Sequence, residues 1–241
     1  MNQYLLKISY DGSNYYGWAK QPGSIPTIQG TIEKVCQEIF DKKINVFASG
    51  RTDRYVHAIS LPVLLRGDDS LSTKKVIKKL NKKLPNDIRV HEIQLVDKKF
   101  QVRFDTKGKK YKYIIKLNSN EKSHYWMPYN YEFDFEKFIN STKKFIGEKN
   151  FASFTGKEKY HSYVRKINDI QVYINGDFLI VDIIGEGFMR YMVRNIIGTL
   201  LTYNRNKITN QEFDDLFKNP LKGKSHYKAP GSGLYLVEVY Y

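Results

Sequence analysis

The chain has 241 residues, 41% hydrophobic and 15% aromatic, and its 40 Lys and Arg against 25 Asp and Glu give a formal charge of +15. That is enough for one large domain or two closely packed ones, no stretch approaches the roughly 20 apolar residues of a membrane span, and the single cysteine, Cys36, excludes an intramolecular disulfide. With no apolar signal region ahead of the strand-like Tyr4-Leu5-Leu6-Lys7-Ile8, a reducing cytoplasm is the expected setting, and the charge favours a polyanion, nucleic acid ahead of acidic membrane, although a composition rich in Lys, Asn, Ile and Tyr accounts for part of the excess.

Leu5 to Tyr10 reads as a strand, followed by the loop Asp11-Gly12-Ser13-Asn14-Tyr15-Tyr16-Gly17-Trp18 and a helix with Ile28, Ile32, Val35 and Ile39 on one stripe. Ile44 to Ala48 and Leu61 to Leu65 are the next strands. After the turn Gly67-Asp68-Asp69, Ser72 to Leu84 reads as a helix with Val76, Leu80 and Leu84 on one face and six lysines on the rest, which is a solvated face rather than a site. Ile88 to Val96 and Lys110 to Leu117 are strands, and Tyr111, Tyr113, Ile115 and Leu117 share one face by period-two alternation. A helix starts near Asp134, carries Phe135, Phe138, Ile139, Thr142 and Phe145, and stops at Gly147. Ile167 to Ile174 and Phe178 to Ile184 form a hairpin through Asn175-Gly176, which suits a type I′ turn. A helix over Phe188 to Leu201, a short one capped by Thr209-x-x-Glu212 and ending before Pro220, and a strand from Leu234 to Tyr240 close the chain. The pattern is α+β, a mainly antiparallel sheet with helices packed on it, in two similar halves: 1–120, carrying Gly50-Arg51-Thr52-Asp53, and 121–241, carrying Met192-Val193-Arg194-Asn195.

Only nine arginines occur, and Arg51 with Arg54 and Arg190 with Arg194 form two tight groups. Where lysine is the default cation, an arginine points to a need for its planar fork. Asp53 follows a strand end and sits between a glycine that frees the backbone and Val56-His57-Ala58. A carboxylate so placed can attack a carbon or accept a proton, although a lone loop Asp more commonly caps a turn.

Several motifs in order settle more than one. Tyr10-Asp11-Gly12-x-x-Tyr15-x-Gly17-Trp18, the Gly50-Arg51-Thr52-Asp53 loop with Val56-His57-Ala58, Lys110-Tyr111-x-Tyr113, Met192-Val193-Arg194-Asn195 and Ala229-Pro230-x-x-Gly233-Leu234 resemble the TruA family of pseudouridine synthases over nearly the whole chain. The resemblance implies two ferredoxin-like halves forming one continuous pseudouridine synthase fold. It also implies an isomerase that turns uridine into pseudouridine in the anticodon stem-loop of tRNA, at tRNA positions 38 to 40, as a homodimer. The bond from uracil nitrogen to ribose C1′ breaks, the base turns, and the bond re-forms through C5. Nothing is oxidised, so no cofactor is expected. By the same resemblance Asp53 is the catalytic nucleophile, attack on ribose and attack on the uracil ring both staying open. Tyr111 contacts the substrate, its ring stacking on uracil and its hydroxyl assisting proton removal at C5. Arg194 pairs with the nucleophile and keeps it ionised. Arg51 braces the loop or meets phosphate, and Arg190, one turn before Arg194, does likewise; Tyr113 stays outside the site. The departure is Arg54-Tyr55, where the family commonly has the small pair Ala-Gly. This puts the loop conformation and substrate range in question, although an extra arginine and an aromatic there can serve RNA by phosphate contact and stacking.

Other chemistries fit poorly. His57, His91, His124, His161 and His226 are scattered without metal-ligand spacing, so no metal is expected. His57 reads as a structural hydrogen-bonder. A Walker-type phosphate loop is absent from the sequence. A non-catalytic RNA-binding protein on the same scaffold and an Asp-dependent base-excising glycosylase are the competing readings. No membrane partner is expected.

Overall fold

The computed structural model describes residues 3–66, 71–156, 159–225 and 227–241; the turn expected at Gly67-Asp68-Asp69 and His226 lie outside the described residues. Contacts gather the chain into two compact units, Met1–Lys107 with Tyr235–Tyr241, and Gly108–Leu234. The strand expected to close a first half at residue 120 therefore belongs with the second unit, because its length pairs with Phe178–Gly185.

In the first unit β1 (Gln3–Tyr10), α1 (Ile28–Phe40), β2 (Asn45–Ala48), β3 (His57–Arg66), α2 (Thr73–Lys83) and β4 (Ile88–Val96) follow in the ferredoxin-like β-α-β-β-α-β order. Strand β1 lies between β3 and β4, antiparallel to both. Alternation along β1 buries Tyr4, Leu6, Ile8 and Tyr10, and the register sets Tyr4 opposite Leu65, Leu6 opposite Val63 and Ile8 opposite Leu61 on the same face. The Tyr4 ring meets Phe40 at the end of α1, so this is the face the helices cover. Thr27 caps α1 by accepting the Gly30 N–H, and Ile28, Ile32, Val35 and Cys36 form its buried stripe. Helix α2 buries Val76 and Leu80. At about 1.5–3 kcal/mol per fully buried aliphatic side chain, those two residues anchor an otherwise lysine-covered helix. On the opposite face Leu5, Leu64 and Val102 make a small cluster with Val96 and Phe100. Strand β3 starts at His57 rather than Leu61, because Ala58 still pairs with Tyr10.

The second unit contains β5 (Gly108–Leu117), β6 (Met127–Tyr129), α3 (Phe135–Thr142), β7 (Gly147–Asn150), β8 (Val164–Asn175), β9 (Phe178–Gly185), α4 (Met192–Asn204) and α5 (Asn210–Lys218). Strand β9 pairs antiparallel with both β5 and β8. Tyr111, Tyr113 and Ile115 face Ile183, Val181 and Leu179 across the ladder. The β8–β9 hairpin differs from the expected turn. Asn175 pairs with Phe178, so the loop is Gly176-Asp177, and of these two only Gly176 has positive φ, at 58°. That fits a type II′ turn; type I′ needs both residues left-handed. Gly147 does not stop α3 directly: a 3-10 turn over Lys143–Phe145 intervenes, and Gly147, at φ 98°, opens β7. Rings of Phe145, Phe151, Phe154, Phe213 and Phe217 pack edge-on or tilted as this unit's aromatic core.

Helix α4 begins four residues later than expected and runs on to Asn204, because Tyr191 at its start holds φ 65°, left-handed and incompatible with a helix. Its far end is fixed by Asn204, whose side-chain amide donates to the Asp134 carbonyl and accepts from the Asp134 N–H. Ten of its thirteen residues are buried, so it is a core helix. The Thr209 capping box on α5 forms as the sequence requires, with Thr209 and Glu212 each satisfying the other's N–H. The last strand, β10 (Leu234–Tyr240), brings Tyr235 and Leu236 parallel to His57 and Ala58 of β3. Among the described residues no helix is long and apolar enough to cross a membrane.

Candidate functional site

Asp53 sits in the loop between β2 and β3, half-buried, with Arg51 and Arg54 exposed on either side and Thr52 buried between them. Buried polar groups need partners, and the Thr52 hydroxyl has the Tyr10 hydroxyl at 2.7 Å, in the strand beside it. The Asp53 carbonyl accepts the Val56 N–H, 3.2 Å away, and closes the turn into β3.

A second loop, Asp11 to Trp18, backs the first. The Trp18 N–H donates to the Thr52 carbonyl at 3.1 Å. Gly17, at φ 96°, lies so close that a Cβ there would come 2.8 Å from the Thr52 carbonyl oxygen and 3.1 Å from the Asp53 carbonyl carbon. Gly12 is as tightly held: a Cβ would fall 2.2 Å from the Val56 carbonyl oxygen. The two glycines of the first motif are thus the means by which one loop's backbone rests on the backbone carrying Asp53.

His57 is buried and stacked on Tyr235, with ring centroids 4.6 Å apart. Gly12 N–H points at its Nδ1 from 3.1 Å. The Asp11 carboxylate also lies 3.2 Å from Nδ1. Asp11 also accepts from the N–H and hydroxyl of Ser13. His57 is a structural hydrogen-bonder here. Tyr15 is fixed by its hydroxyl donating to Asp87 at 2.7 Å; burial, then that bond and the negative charge behind it, hold its phenol well above the ordinary range.

The other sequence-selected residues stand in the second unit. Tyr111 is buried on β5, its ring edge-on to Phe188 at 5.1 Å. Two residues on, Tyr113 is fully buried and donates to the Pro230 carbonyl at 2.8 Å. Burial drives its phenol far up, only partly offset by the positive charge of Arg194. Tyr113 is a structural residue tied to the Ala229-Pro230 segment.

Arg194 lies in the first turn of α4, half-buried, and its Nε–H donates to the Ala229 carbonyl at 2.7 Å while Ala229 N–H returns a bond to the Arg194 carbonyl. That clasp fixes the plane of the fork. Asn195 is buried and donates to the Phe154 carbonyl, and Gly198 lets the chain at Tyr227 pass where a Cβ would be 2.0 Å from its carbonyl oxygen. Around the Tyr191 ring stand Lys228 at 4.0 Å, Arg190 at 4.7 Å and Arg194 at 5.6 Å. Three cations about one ring favour an anion. Sequence reading missed Tyr191 and Lys228; the signal was their adjacency to Arg190 and to Ala229.

Comparison with known proteins decides the family. A family model described as tRNA pseudouridine synthase matches residues 7–105 and 142–241. The chain belongs to the tRNA pseudouridine synthase family. Within it, the chain is 43% identical to tRNA pseudouridine synthase A of Malacoplasma penetrans over 241 residues, 99% of each chain. It is 36% identical to the protein of that name from Mycoplasma genitalium and 35% identical to that from Caldicellulosiruptor saccharolyticus, with 99% or more of both chains covered each time. These are tRNA pseudouridine synthases by name, an isomerase family, and the mainly antiparallel α+β architecture is the one the sequence resemblance implied.

Proposed function

We propose that this chain converts uridine to pseudouridine in the anticodon stem-loop of tRNA, at positions 38 to 40 as its family resemblance implies, with Asp53 as nucleophile. It works without a cofactor, in the cytoplasm, as a homodimer. The observation that supports the reading is the fixed backbone beneath Asp53: two interlocked loops hold the main chain that carries this half-buried residue, and a nucleophile calls for such preorganisation.

A nucleophilic carboxylate must be ionised, and burial works against that. Arg194 is assigned the compensating charge, its fork oriented by Ala229; a guanidinium both lowers a carboxylate pKa and fixes its orientation. Arg51, exposed beside the nucleophile, is assigned to phosphate. Tyr111 is assigned to stack on uracil, with its hydroxyl taking part in removal of the C5 proton. The sequence of bonds balances within the nucleotide: the N1–C1′ bond breaks, C5–C1′ forms, and the C5 proton leaves to solvent while N1 gains one. A uridine in a stem must first be extruded, which costs a few kcal/mol, and the basic surface offsets that through phosphate contacts.

The test is a single-turnover reaction on unmodified tRNA transcript, with pseudouridine mapped by carbodiimide-dependent reverse-transcription stops. The wild type gives stops at positions 38 to 40 without strand loss. Asp53→Ala removes them while tRNA affinity stays within about threefold, because affinity rests on spread phosphate contacts. Release of free uracil would identify a glycosylase instead, and tight binding without stops a non-catalytic RNA-binding protein. Pseudouridine formed by Asp53→Ala would sink the nucleophile assignment.

A further inference from the structure

Next to Asp53 the chain departs from its family's small pair, and the structure shows what the larger residues build. The Arg54 guanidinium carbon lies 3.9 Å from the Tyr16 ring centroid and 4.4 Å from that of Tyr55, so one cation stands over two rings and joins them in a layer. All three side chains reach solvent: Tyr16 is 43% and Tyr55 36% exposed, and Arg54 is exposed. This layer forms no part of the core. Tyr55 nevertheless holds φ 68°, a left-handed conformation that glycine adopts freely and an aromatic residue adopts only at a cost. A strained aromatic standing at the surface and outside the core points to a use for its ring.

The layer is also held still. Tyr16 donates its N–H to the Pro26 carbonyl and accepts at its own carbonyl from Gln21. Gly17, immediately after it, rests on the backbone of Thr52, Asp53 and Arg54. The backbone segments that carry the two rings and the guanidinium therefore keep a fixed relation to one another, and Arg54 and Tyr55 directly follow the nucleophile. Exposed aromatic faces accept nucleobases irrespective of sequence, and a guanidinium layered with them still presents N–H groups at its edge to phosphate.

We propose that Tyr16, Arg54 and Tyr55 form a stacking platform for the nucleobase that neighbours the target uridine, with Arg54 bonding the phosphate that links the two nucleotides. When the uridine leaves its helix, that neighbour loses a stacking partner, and the platform replaces it. This assignment rests on the tRNA pseudouridine synthase reading. It makes the departure from the small pair a substrate-positioning device.

Tyr55→Gly is the informative variant, because glycine takes the left-handed backbone without strain and the loop keeps its shape. Its melting temperature stays level or rises, while its Kd for tRNA rises about 5- to 100-fold, the range a lost base–aromatic stack produces. The dependence of that affinity on salt is unchanged, whereas Arg54→Ala lowers the salt slope by about one phosphate contact. Transcripts carrying 2-aminopurine on the 5′ or the 3′ side of the mapped uridine give the direct readout. One of the two is quenched on binding wild-type protein and stays bright with Tyr55→Gly. Wild-type-like tRNA affinity in Tyr55→Gly, or no quenching on either side by a wild-type protein that makes pseudouridine, overturns the platform. A wild type that makes no pseudouridine overturns the underlying reading instead, so the two failures are told apart.

Discussion

Replacing Gly17 by alanine tests whether the loop clamp positions the nucleophile. Two costs follow from the geometry. The backbone at φ 96° disfavours any side chain, which costs about 1–2 kcal/mol. The new Cβ would also stand 2.8 Å from the Thr52 carbonyl oxygen, where ordinary contact begins near 3.4 Å, so the Thr52–Arg54 backbone must retreat by about 0.6 Å. The neighbours are backbone atoms and cannot rotate away. Since a misplacement of about 1 Å can cost on the order of 10²-fold in turnover, the single-turnover rate at saturating protein should fall by about 10- to 100-fold. Gly23→Ala is the control: its φ of 76° carries the same conformational cost, but nothing lies within 4 Å of the new Cβ. It should lower the melting temperature by about 2–8 °C, the shift expected for roughly 1–2 kcal/mol in a chain of this length, and leave the rate alone. Melting by circular dichroism and turnover by reverse-transcription stops are measured on both. If Gly17→Ala slows turnover no more than Gly23→Ala, the clamp does not position Asp53.

Arg194→Lys keeps the charge but loses the planar fork and the Nε–H bond to Ala229; turnover should drop by about 10²-fold with tRNA affinity nearly unchanged, and a variant within threefold of wild type in the same assay would refute the role. Cys36 is fully buried, and burial, then the negative charge of Glu33, pushes its thiol up from 9.0 to about 12. Below pH 9 the thiol is protonated whether the chain is folded or unfolded; between 9 and 12 the unfolded chain ionises first. Stability should therefore decline by about 1.4 kcal/mol per pH unit as pH climbs through that window, and the difference between wild-type and Cys36→Ala denaturation curves against pH measures it.

How much of this was legible in the sequence follows from how local each signal is. The stripes of α1 and α2, the capping box at Thr209 and the last strand are written in spacings of a few residues, and they formed within a residue or two of expectation. What failed depended on backbone conformation or on distant partners. Phe188 to Tyr191 carry helix-like residues, yet Phe188 meets Tyr111 and Tyr191 turns left-handed, neither of which local periodicity registers. The short strands β6 and β7 are too brief to show alternation. Asn175-Gly176 announced a hairpin correctly, but the register moved Asn175 into the strand and changed the turn type.

The candidate site divides along the same line. Gly50-Arg51-Thr52-Asp53 is readable as a motif, whereas its support comes from Tyr10, Gly12 and Gly17, some 35 to 45 positions earlier, and appears only when β1 and β3 pair. Tyr111 and Tyr113 make the limit plain, since period-two alternation gives them one face and one burial class. What separates them is their partners. Tyr113 spends its hydroxyl on the Pro230 carbonyl, 117 positions away, and a phenol so committed and so deeply buried would have to break that bond before it could serve a substrate, at a cost of about 1–3 kcal/mol for the acceptor left unpaired. The Tyr111 ring instead meets Phe188 edge-on, one turn before the left-handed Tyr191 that sets the start of the helix carrying Arg194. A shift in that left-handed turn would move both the aromatic wall against Tyr111 and the arginine fork, so the conformation that defeated the helix prediction is also the one that couples the two residues assigned to the substrate.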